Sequence, residues 1–439
     1  MKLKFLAAGC AAALLLSVTG CADSSSLEEV TTTAATTTTI TTETTAPPDD
    51  AWKEYDSTWR KADPELGLPT LDLGKTTDEM VERSIMHVGN RARLANAMKR
   101  AKSNLGITVA VIGGAVAQGA GASSSVENYA YYNMMWWMQT FPTDVYKMEF
   151  VNAGMGTTGS YVGVHRAASE LLAKKPDVVL VDFALNDTDR TRDAKSYHSL
   201  VRNILELENN PAVILLFGAQ ENGQSFADVQ KEIGYAYDLP MISYQNAVMP
   251  EIAAGHFSWK DIAADTVHPN SAGHGIIGEL LWEYYNSVFA DLDYIPTVDL
   301  SFPEDAITEN RYADADILSS RKLETTEDPV GFAEAEISKS FPHNYATETA
   351  GEISFTVEAQ NIGVLYQRTP DGQNGRYDVY VDGTLMKTLD GNFADGWGSY
   401  AEAEEIFTSW AKTQHTVTFK KAADSPADGF QILGIMVSG

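Results

Sequence analysis

The stretch Ile107-Thr-Val-Ala-Val-Ile-Gly-Gly-Ala-Val-Ala-Gln-Gly119 decides the fold of this 439-residue chain. The apolar run Ile107–Ile112 is typical of a buried strand, and Gly113-Gly-Ala115 then turns the chain into a helix. Such a turn places one side chain and several free backbone N–H groups at the carboxyl edge of a sheet, where α/β proteins bind ligands. The side chain delivered to that edge is the methyl group of Ala115, which has no nucleophilic or acid–base chemistry.

Strand-like and helix-like segments alternate around this stretch. Further apolar strands are predicted at Lys147–Val151, Val178–Phe183, Ala212–Phe217 and Pro240–Ser243. Helices are predicted at Asp78–Ser103, Tyr129–Thr140, Tyr161–Lys174, Ala194–Glu208, Phe226–Tyr237 and Ala272–Tyr285. Continuous Val, Ile and Leu runs between helices indicate a parallel sheet that is covered on both faces. About five such strands imply an α/β domain over residues 51–295, with a flavodoxin-like, doubly wound sheet.

The pattern changes after an acidic, proline-containing connector at 296–325. Alternating segments predict antiparallel strands at Glu352–Val357, Ile362–Tyr366, Tyr377–Val381, His415–Phe419 and Phe430–Val437. Asp382-Gly383 predicts a hairpin turn, so residues 326–439 are expected to form a β-sandwich of jelly-roll type. Five aromatic residues there are candidates for stacking on sugar rings, with core packing as the favoured alternative for most: Tyr366, Tyr377, Tyr380, Trp397 and Tyr400.

The amino-terminal 21 residues are typical of an export signal, with Lys2 and Lys4 ahead of the apolar run Phe5–Leu16. The run ends in Val18-Thr-Gly-Cys21, which resembles the lipobox of bacterial lipoproteins. That resemblance implies cleavage before Cys21 and lipid attachment to it, and hence an extracytoplasmic protein anchored to the bacterial cell membrane. An ordinary signal peptide is the alternative. The Thr-rich residues 22–50 predict a disordered linker, because they offer little apolar surface to bury.

Composition limits the partners and the sources of stability. The formal net charge of −28 argues against binding to nucleic acid. The only cysteines are Cys10 and Cys21, so the folded part is expected to lack disulfides and to depend on core packing.

Small and polar residues follow three of the predicted strands, and a fourth polar segment precedes the last helix. One of these strands ends at the turn before Ala115, and the other two are followed by Asn152-Ala-Gly154 and by Leu185-Asn186. The carboxyl ends of parallel strands meet at one sheet edge, so these groups can converge. In Asp265-Thr-Val-His268 the aspartate can accept from one imidazole nitrogen and leave the other free as a base.

These four segments, in this order, resemble the sequence blocks of the SGNH (GDSL-type) hydrolase superfamily. The first block of that family reads Gly-Asp-Ser or Gly-Gly-Ser, and Gly113-Gly-Ala-Val-Ala-Gln-Gly119 matches the second form except at the serine. Gly154 corresponds to the glycine of the second block and Asn186 to the asparagine of the third. Asp265 and His268 correspond to the Asp-x-x-His of the fifth block. The resemblance covers about residues 51–295.

In active members of this family, the serine attacks an ester carbonyl while the histidine, oriented by the aspartate, takes its proton. The N–H groups of the serine and the glycine hold the oxyanion together with the asparagine side chain. The resemblance therefore implies catalytic-site positions for Gly154, Asn186, Asp265 and His268, with Ala115 at the nucleophile position. We expect neither a cofactor nor a metal ion.

The missing serine leaves three interpretations open. The favoured one is a chain that binds an ester-bearing ligand and turns it over slowly or not at all. Alternatively, another hydroxyl replaces the serine, and the nearest ones belong to Ser123, Ser124, Ser125, Thr157 and Thr158. Ser123 is disfavoured because eight residues of helix would carry it about 12 Å from Ala115. In the third interpretation His268 activates water directly.

The resemblance and the secreted two-domain layout together imply the ligand class. They point to an acylated, O-acetylated carbohydrate of a cell-surface or dietary polysaccharide. We therefore expect an ester-hydrolase fold for carbohydrate that is inactive or strongly impaired. The alternatives are a glycan-binding pseudoesterase, an active esterase that uses water or another hydroxyl, and a structural component of the cell envelope.

Overall fold

A computed structural model describes residues 59–73, 75–141 and 147–439 of the chain. The predicted export signal, the predicted lipidation of Cys21 and the predicted linker at 22–50 all fall outside these residues. The described residues belong to one compact unit, in which an α/β part precedes an antiparallel β part. None of the helices in the described ranges combines the length and the apolarity needed to cross a membrane.

The α/β part is built on a six-stranded sheet. Its strands are β1 (Ile85–His87), β2 (Ile107–Gly113), β3 (Met148–Gly154), β4 (Val178–Asp182), β5 (Ala212–Phe217) and β6 (Met241–Ser243). Their spatial order is β1-β6-β5-β4-β2-β3, with β2 to β6 parallel and β1 antiparallel to β6. The five parallel strands have the flavodoxin-like order, and this part of the fold prediction is confirmed.

Hydrophobic cores on both faces of the sheet explain why its strands are continuously apolar. Along β4, the side chains of Val178 and Leu180 belong to one core, and those of Val179 and Val181 belong to the other. All four are fully buried. Successive side chains of a strand point to opposite faces, so a sheet covered on both sides requires apolar residues at every position.

Ten helices surround the sheet or follow its strands in the described part of the chain. They are α1 (Asp78–Ser84), α2 (Ala92–Lys102), α3 (Ala115–Gln118), α4 (Tyr129–Thr140), α5 (Ser160–Glu170), α6 (Arg192–Leu205), α7 (Ala227–Ala236), α8 (Tyr244–Ala253), α9 (Trp259–Ile262) and α10 (Ser271–Ala290). The short helices α8 and α9 and the edge strand β1 were not predicted from the sequence.

The sequence predicts one helix over Asp78–Ser103, and this prediction is wrong. The chain leaves α1, forms β1 beside β6, and only then enters α2. Gly89 between them has a φ of +64°, and a Cβ atom there would stand 2.3 Å from the nitrogen of Pro240. This left-handed backbone and close approach both require glycine, and they interrupt the helical periodicity.

The β part contains nine further strands. They are β7 (Asp316–Leu318), β8 (Glu324–Thr325), β9 (Ala333–Ala335), β10 (Asn344–Thr347), β11 (Glu352–Arg368), β12 (Arg376–Val381), β13 (Thr384–Asp390), β14 (Tyr400–Lys421) and β15 (Phe430–Ser438). All their pairings are antiparallel, and the expected antiparallel β domain is confirmed. The predicted turn at Asp382-Gly383 joins β12 to β13 with positive φ at both residues.

Two strands that the sequence predicts separately form a single strand in the structure. Glu352–Val357 and Ile362–Tyr366 both belong to β11, which changes register with β14 between Ala359 and Asn361. A bulge of this kind bends a strand without ending it. The first half of β11 also pairs with β8, and the second half also pairs with β15.

The α/β and β parts share a hydrophobic core. Tyr161 of α5 packs in one cluster with Leu365 of β11 and Met436 of β15. A Cβ atom on Gly363 would stand 2.1 Å from the hydroxyl oxygen of Tyr161, so glycine lets β11 approach this helix. Arg192, the first residue of α6, donates from Nη1 to the carbonyl oxygen of Ala403 in β14 (3.4 Å).

Candidate active site

The turn between β2 and α3 has the strand-to-helix geometry that the sequence predicts. The N–H of Gly114 donates to the carbonyl oxygen of Asp182 at the end of β4 (3.1 Å). A Cβ atom on Gly113 would stand 2.4 Å from the same oxygen, so glycine lets the two strand ends meet. Ala115 begins α3 and is half-buried. Within the described part of the chain, its N–H has no hydrogen-bond acceptor and can serve a ligand.

Asn186 lies directly against this turn. A Cβ atom on Gly114 would stand 2.0 Å from its Oδ1 and 2.6 Å from its Nδ2, so only glycine leaves room for the carboxamide. The loop holds Asn186 through its backbone N–H, which donates to the carbonyl oxygen of Phe183 (2.9 Å). The side chain is half-buried beside the residue that precedes Ala115, as convergence at one sheet edge predicts.

Gly154 occupies a different environment from the one that the family resemblance implies. Its N–H donates to the side-chain oxygen of Asn152 (2.8 Å). A Cβ atom on Gly154 would stand 2.3 Å from the backbone nitrogen of Gln118, so glycine lets the end of β3 pack against α3. The structure therefore gives Gly154 a packing role and shows its N–H bonded to Asn152, and its role as an oxyanion donor stays a prediction.

Gly156, two residues later, faces the turn instead. A Cβ atom on it would stand 4.0 Å from the methyl carbon of Ala115. Its N–H donates to Oε1 of Gln118 (3.0 Å), a residue of the same helix α3 that Ala115 begins. Sequence reasoning missed Gly156 and Gln118, because the small-residue run after β3 does not show which of its residues faces α3.

Asp265 and His268 form the expected pair. Asp265 Oδ2 accepts from His268 Nδ1 (2.7 Å), and Oδ1 accepts from the N–H groups of Val267 (2.8 Å) and His268 (2.7 Å). Partial burial works against charge on Asp265, but these hydrogen bonds from His268 and Val267 lower its pKa below the ordinary value. With Nδ1 bonded to the carboxylate, His268 keeps the lone pair of Nε2, which has no partner among the described residues.

The loop that carries this pair is tied to neighbouring elements and to the turn at Ala115. Trp259 Nε1 donates to the carbonyl oxygen of Asp265 (2.7 Å). On the other side, the N–H of Ala120 donates to the carbonyl oxygen of Ala115 (2.9 Å). The next residue, Gly121, lies so close to His268 that a Cβ atom on it would stand 3.1 Å from the histidine Cβ. The six residues after Ala115 therefore fold back and bring the turn and the histidine together.

Comparison with solved structures finds two-domain esterases of similar fold. A two-domain esterase active on acetylated mannans is 28% identical, with a TM-score of 0.71 over 82% of this chain and 98% of that chain. The same figures hold for a two-domain esterase of this description co-crystallised with mannopentaose. An acetylxylan esterase from Geobacillus stearothermophilus is 19% identical over 42% of this chain and 96% of that chain, with a TM-score of 0.35. No protein-family model matches the chain, and neither does any curated protein sequence.

The match covers nearly the whole two-domain esterase. Together with the sequence blocks, it supports the SGNH (GDSL-type) hydrolase superfamily, and we call the α/β part and its candidate site the SGNH part and the SGNH site. The SGNH part holds the histidine, the aspartate and the asparagine around the first-block turn, and an alanine methyl stands where that block carries serine. No group of three His, Cys, Asp or Glu residues in the described ranges is arranged to hold a metal ion.

The neighbouring hydroxyl groups of this SGNH site have other partners. Thr158 is buried and donates to the carbonyl oxygen of Met155 (2.8 Å). Ser123 does not continue the helix that begins at Ala115, because α3 ends at Gln118, and it lies against Ser271 at the start of α10. Its N–H donates to Oγ of Ser271 (2.9 Å), and its own Oγ accepts from that hydroxyl (3.0 Å). The continuous helix from Ala115 to Ser123, on which the estimate of 12 Å depended, is therefore wrong.

A buried polar network beneath the SGNH turn was not predicted. Tyr129 donates through its hydroxyl to Oδ2 of Asp182 (2.9 Å) and through its N–H to Nδ1 of His274 (3.3 Å). Nε2 of His274 donates in turn to the carbonyl oxygen of Ala120 (2.9 Å). Burial lowers the pKa of His274, which keeps the ring neutral and supports this donor–acceptor pattern. The network supports the loop that joins the turn to His268.

Asp182 makes the stability of the SGNH part depend on pH. Burial raises its pKa to about 7, against the opposing hydrogen bond from Tyr129. Between pH 4 and pH 7 the carboxyl group of Asp182 is ionised in the unfolded chain and protonated in the folded chain. The contribution of Asp182 to the free energy of unfolding therefore falls as pH rises. The difference between this pKa and the ordinary value of 3.8 limits that pH-dependent loss of stability to about 4 kcal/mol.

We therefore expect Asp182→Asn to raise the unfolding temperature more at pH 8 than at pH 4.5, because asparagine still accepts from Tyr129 and never ionises. Thermal unfolding followed by circular dichroism at both pH values tests this. The exposed Asp305→Asn variant removes the same formal charge and serves as the control. An equal shift for Asp182→Asn at both pH values would contradict the linkage.

Proposed function

We propose that this SGNH protein recognises O-acetylated polysaccharide at the turn around Ala115 and releases acetate slowly or not at all. The observation that carries the proposal is the set of groups that meet near the turn: the free N–H of Ala115, the Asn186 carboxamide against Gly114, and the Asp265–His268 pair, whose histidine lies beside Gly121. All of them serve ester recognition or catalysis in an SGNH site, and what is missing is the atom that forms the acyl-enzyme.

The substrate class is supported by the matched two-domain esterase, which is active on acetylated mannans. Both domains of that esterase have counterparts here, since the match covers 98% of its chain. Loss of the serine in another hydrolase costs about 10⁶-fold in kcat, while oxyanion donors and binding retain about 10³- to 10⁴-fold over water. Turnover is therefore expected to fall much further than affinity.

Binding measurements test this proposal. Isothermal titration calorimetry measures the affinity of the unmodified chain for acetylated manno-oligosaccharides and for the same oligosaccharides after chemical deacetylation. The difference between the two affinities separates recognition of the ester from recognition of the sugar chain. We expect tighter binding of the acetylated form, and we expect Asn186→Ala to remove most of that difference because it deletes a donor to the acetyl carbonyl. Equal affinity for the acetylated and deacetylated ligands would contradict the proposed site.

A second candidate function is hydrolysis by activated water. The observation in its favour is Nε2 of His268, which has no hydrogen-bond partner in the described part of the chain. A water molecule bound there could attack an ester carbonyl after giving its proton to the imidazole. Under this alternative the unmodified chain hydrolyses acetyl esters, and His268→Ala abolishes that activity.

We also propose that the protein is tethered to the outer side of the bacterial cell membrane. The support is the lipobox-like Val18-Thr-Gly-Cys21 and the Thr-rich segment at 22–50, whose composition is that of a flexible spacer. A tethered binder of acetylated polysaccharide would hold such a polymer near the cell surface.

A further inference from the structure

Three aromatic side chains of the β part form an exposed cluster around one guanidinium group. We call Arg368, Phe393, Trp397 and Tyr400 the aromatic platform. The ring of Trp397 is 71% exposed and stacks on Tyr400 with 5.6 Å between centroids and 29° between planes. Phe393 meets both rings edge-on, at 6.1 Å from Trp397 and 5.0 Å from Tyr400. One face of Trp397 is thus covered, and the other is available.

The aromatic platform is held rigid by polar contacts beneath it. Arg368 donates to the carbonyl oxygen of Asn392 (2.8 Å) and to the hydroxyl of Tyr400 (3.0 Å), and its guanidinium lies 5.4 Å from the centre of the Phe393 ring. The Tyr400 hydroxyl donates to Glu402 (2.8 Å). Arg368 is therefore occupied by internal partners, so the aromatic platform offers flat apolar faces rather than a free cation.

Not every aromatic candidate from the sequence is available. Tyr366 and Tyr377 are buried in the core of the β part, at 4% and 0% exposure, as the core-packing alternative predicts. Trp410 is fully exposed on the same strand as Tyr400, but no aromatic contact supports it in the described structure. Among these residues, only the Trp397–Tyr400 pair combines exposure with a supported, stacked geometry.

The strand that carries Tyr400 contacts the start of α6 at the catalytic edge of the α/β part. Helix α6 follows β4 and begins with Arg192, which donates to the carbonyl oxygen of Ala403 in β14. Tyr400 lies three residues before Ala403 on that strand, or about 10 Å along it.

We infer that the aromatic platform binds the sugar backbone of the polymer whose acetyl ester enters the site at Ala115. This inference rests on the proposed function. Pyranose rings present flat C–H faces that pack on exposed indole and phenol rings, and an exposed aromatic patch on a strongly charged surface marks an interaction site. The net charge of −28 disfavours acidic polymers and leaves neutral backbones as the ligand class.

The aromatic platform would add backbone contacts that a small ester lacks. It would raise affinity for polymers without acting on the acetyl group, because it lies on the β part and the ester groups meet on the α/β part. Binding to a deacetylated polymer isolates this contribution from the site at Ala115.

Affinity electrophoresis of the unmodified chain through gels that contain deacetylated mannan or xylan tests the inference. We expect at least one polymer to retard the chain and Trp397→Ala to reduce that retardation about tenfold, since one stacking residue contributes about 1 to 1.5 kcal/mol. Trp410→Ala is the matched control, because it removes another exposed indole from the β part. It should leave retardation unchanged, and circular dichroism should show that both variants are folded.

Two results would overturn the inference. One is the absence of retardation by every neutral polymer tested, and the other is equal retardation of Trp397→Ala and the unmodified chain. The proposed function fails differently, through equal affinity for acetylated and deacetylated oligosaccharides. A chain that binds deacetylated mannan through Trp397 but ignores acetylation would retain the aromatic platform and lose the ester site.

Discussion

Replacing Ala115 with serine is expected to turn this chain into an active acetylesterase. The new Oγ would stand at the start of α3, beside Asn186 and in the turn that Gly121 connects to His268. Because serine removal costs about 10⁶-fold in kcat in another hydrolase, we expect a gain of at least about 10³-fold over the unmodified chain. Hydrolysis of p-nitrophenyl acetate and acetate release from acetylated mannan measure it.

Ala120→Ser is the matched control for this gain. It places a hydroxyl on the same loop, five residues after Ala115, without placing it at the start of α3, and it should leave the rate unchanged. Strong activity of the unmodified chain would refute the proposal that turnover is lost and would favour activated water. An Ala115→Ser variant that binds acetylated ligand but stays inactive would show that His268 or the oxyanion donors are misplaced for catalysis.

In the Ala115→Ser background, His268→Ala is expected to abolish almost all of the gained activity. Serine alone is a weak nucleophile at neutral pH, and Nε2 of His268 is the base that the structure offers to it. In another serine hydrolase, loss of the histidine costs about as much as loss of the serine, about 10⁶-fold in kcat. Stopped assays of kcat and KM should therefore show a collapse of kcat with little change in KM.

The matched control for the histidine is His256→Ala. His256 also pairs with a carboxylate, through Nδ1 to Glu251 (2.5 Å), and it is exposed in the same part of the chain. Its removal should not change the rate.

In the same Ala115→Ser background, Asp265→Asn should lower kcat about 10⁴-fold, because it removes the acceptor that orients the imidazole of His268. If His268→Ala kept the activity of its parent, another residue would be the base and the assignment of this pair would fail.

Much of the α/β fold could be predicted because its signals are local. Strands β2, β4 and β5 are continuous apolar runs, which a sheet covered on both faces requires. The helix α4 has the predicted bounds, Tyr129–Thr140, with Asn128 as its N-cap. The failure at Asp78–Ser103 has a physical reason: β1 exists only because β6 provides an edge to pair with, and pairing across 150 residues leaves no mark on helical periodicity.

The residues of the candidate site likewise fall into those that sequence spacing predicts and those that it does not. Asp265 and His268 are three residues apart, so their contact is a local turn, and sequence spacing suffices to predict it. Gly154 and Gly156 cannot be distinguished by spacing, because their roles depend on how the end of β3 meets Gln118. The position of Ser123 was misjudged for a related reason, since the end of α3 after four residues sends the chain back toward Ser271.

The sequence by itself determined the strand–turn–helix around Ala115, the absence of a hydroxyl there, the Asp265–His268 pair and the change to antiparallel strands in the last third of the chain. Each of these depends on residue identity or on short-range periodicity. Only the tertiary structure decided that Gly156 rather than Gly154 faces the turn, that Asp182 is buried beneath it, and that Trp397 stacks on Tyr400. Those properties depend on contacts between segments that are distant in the sequence, and the spacing of neighbouring residues does not predict such contacts.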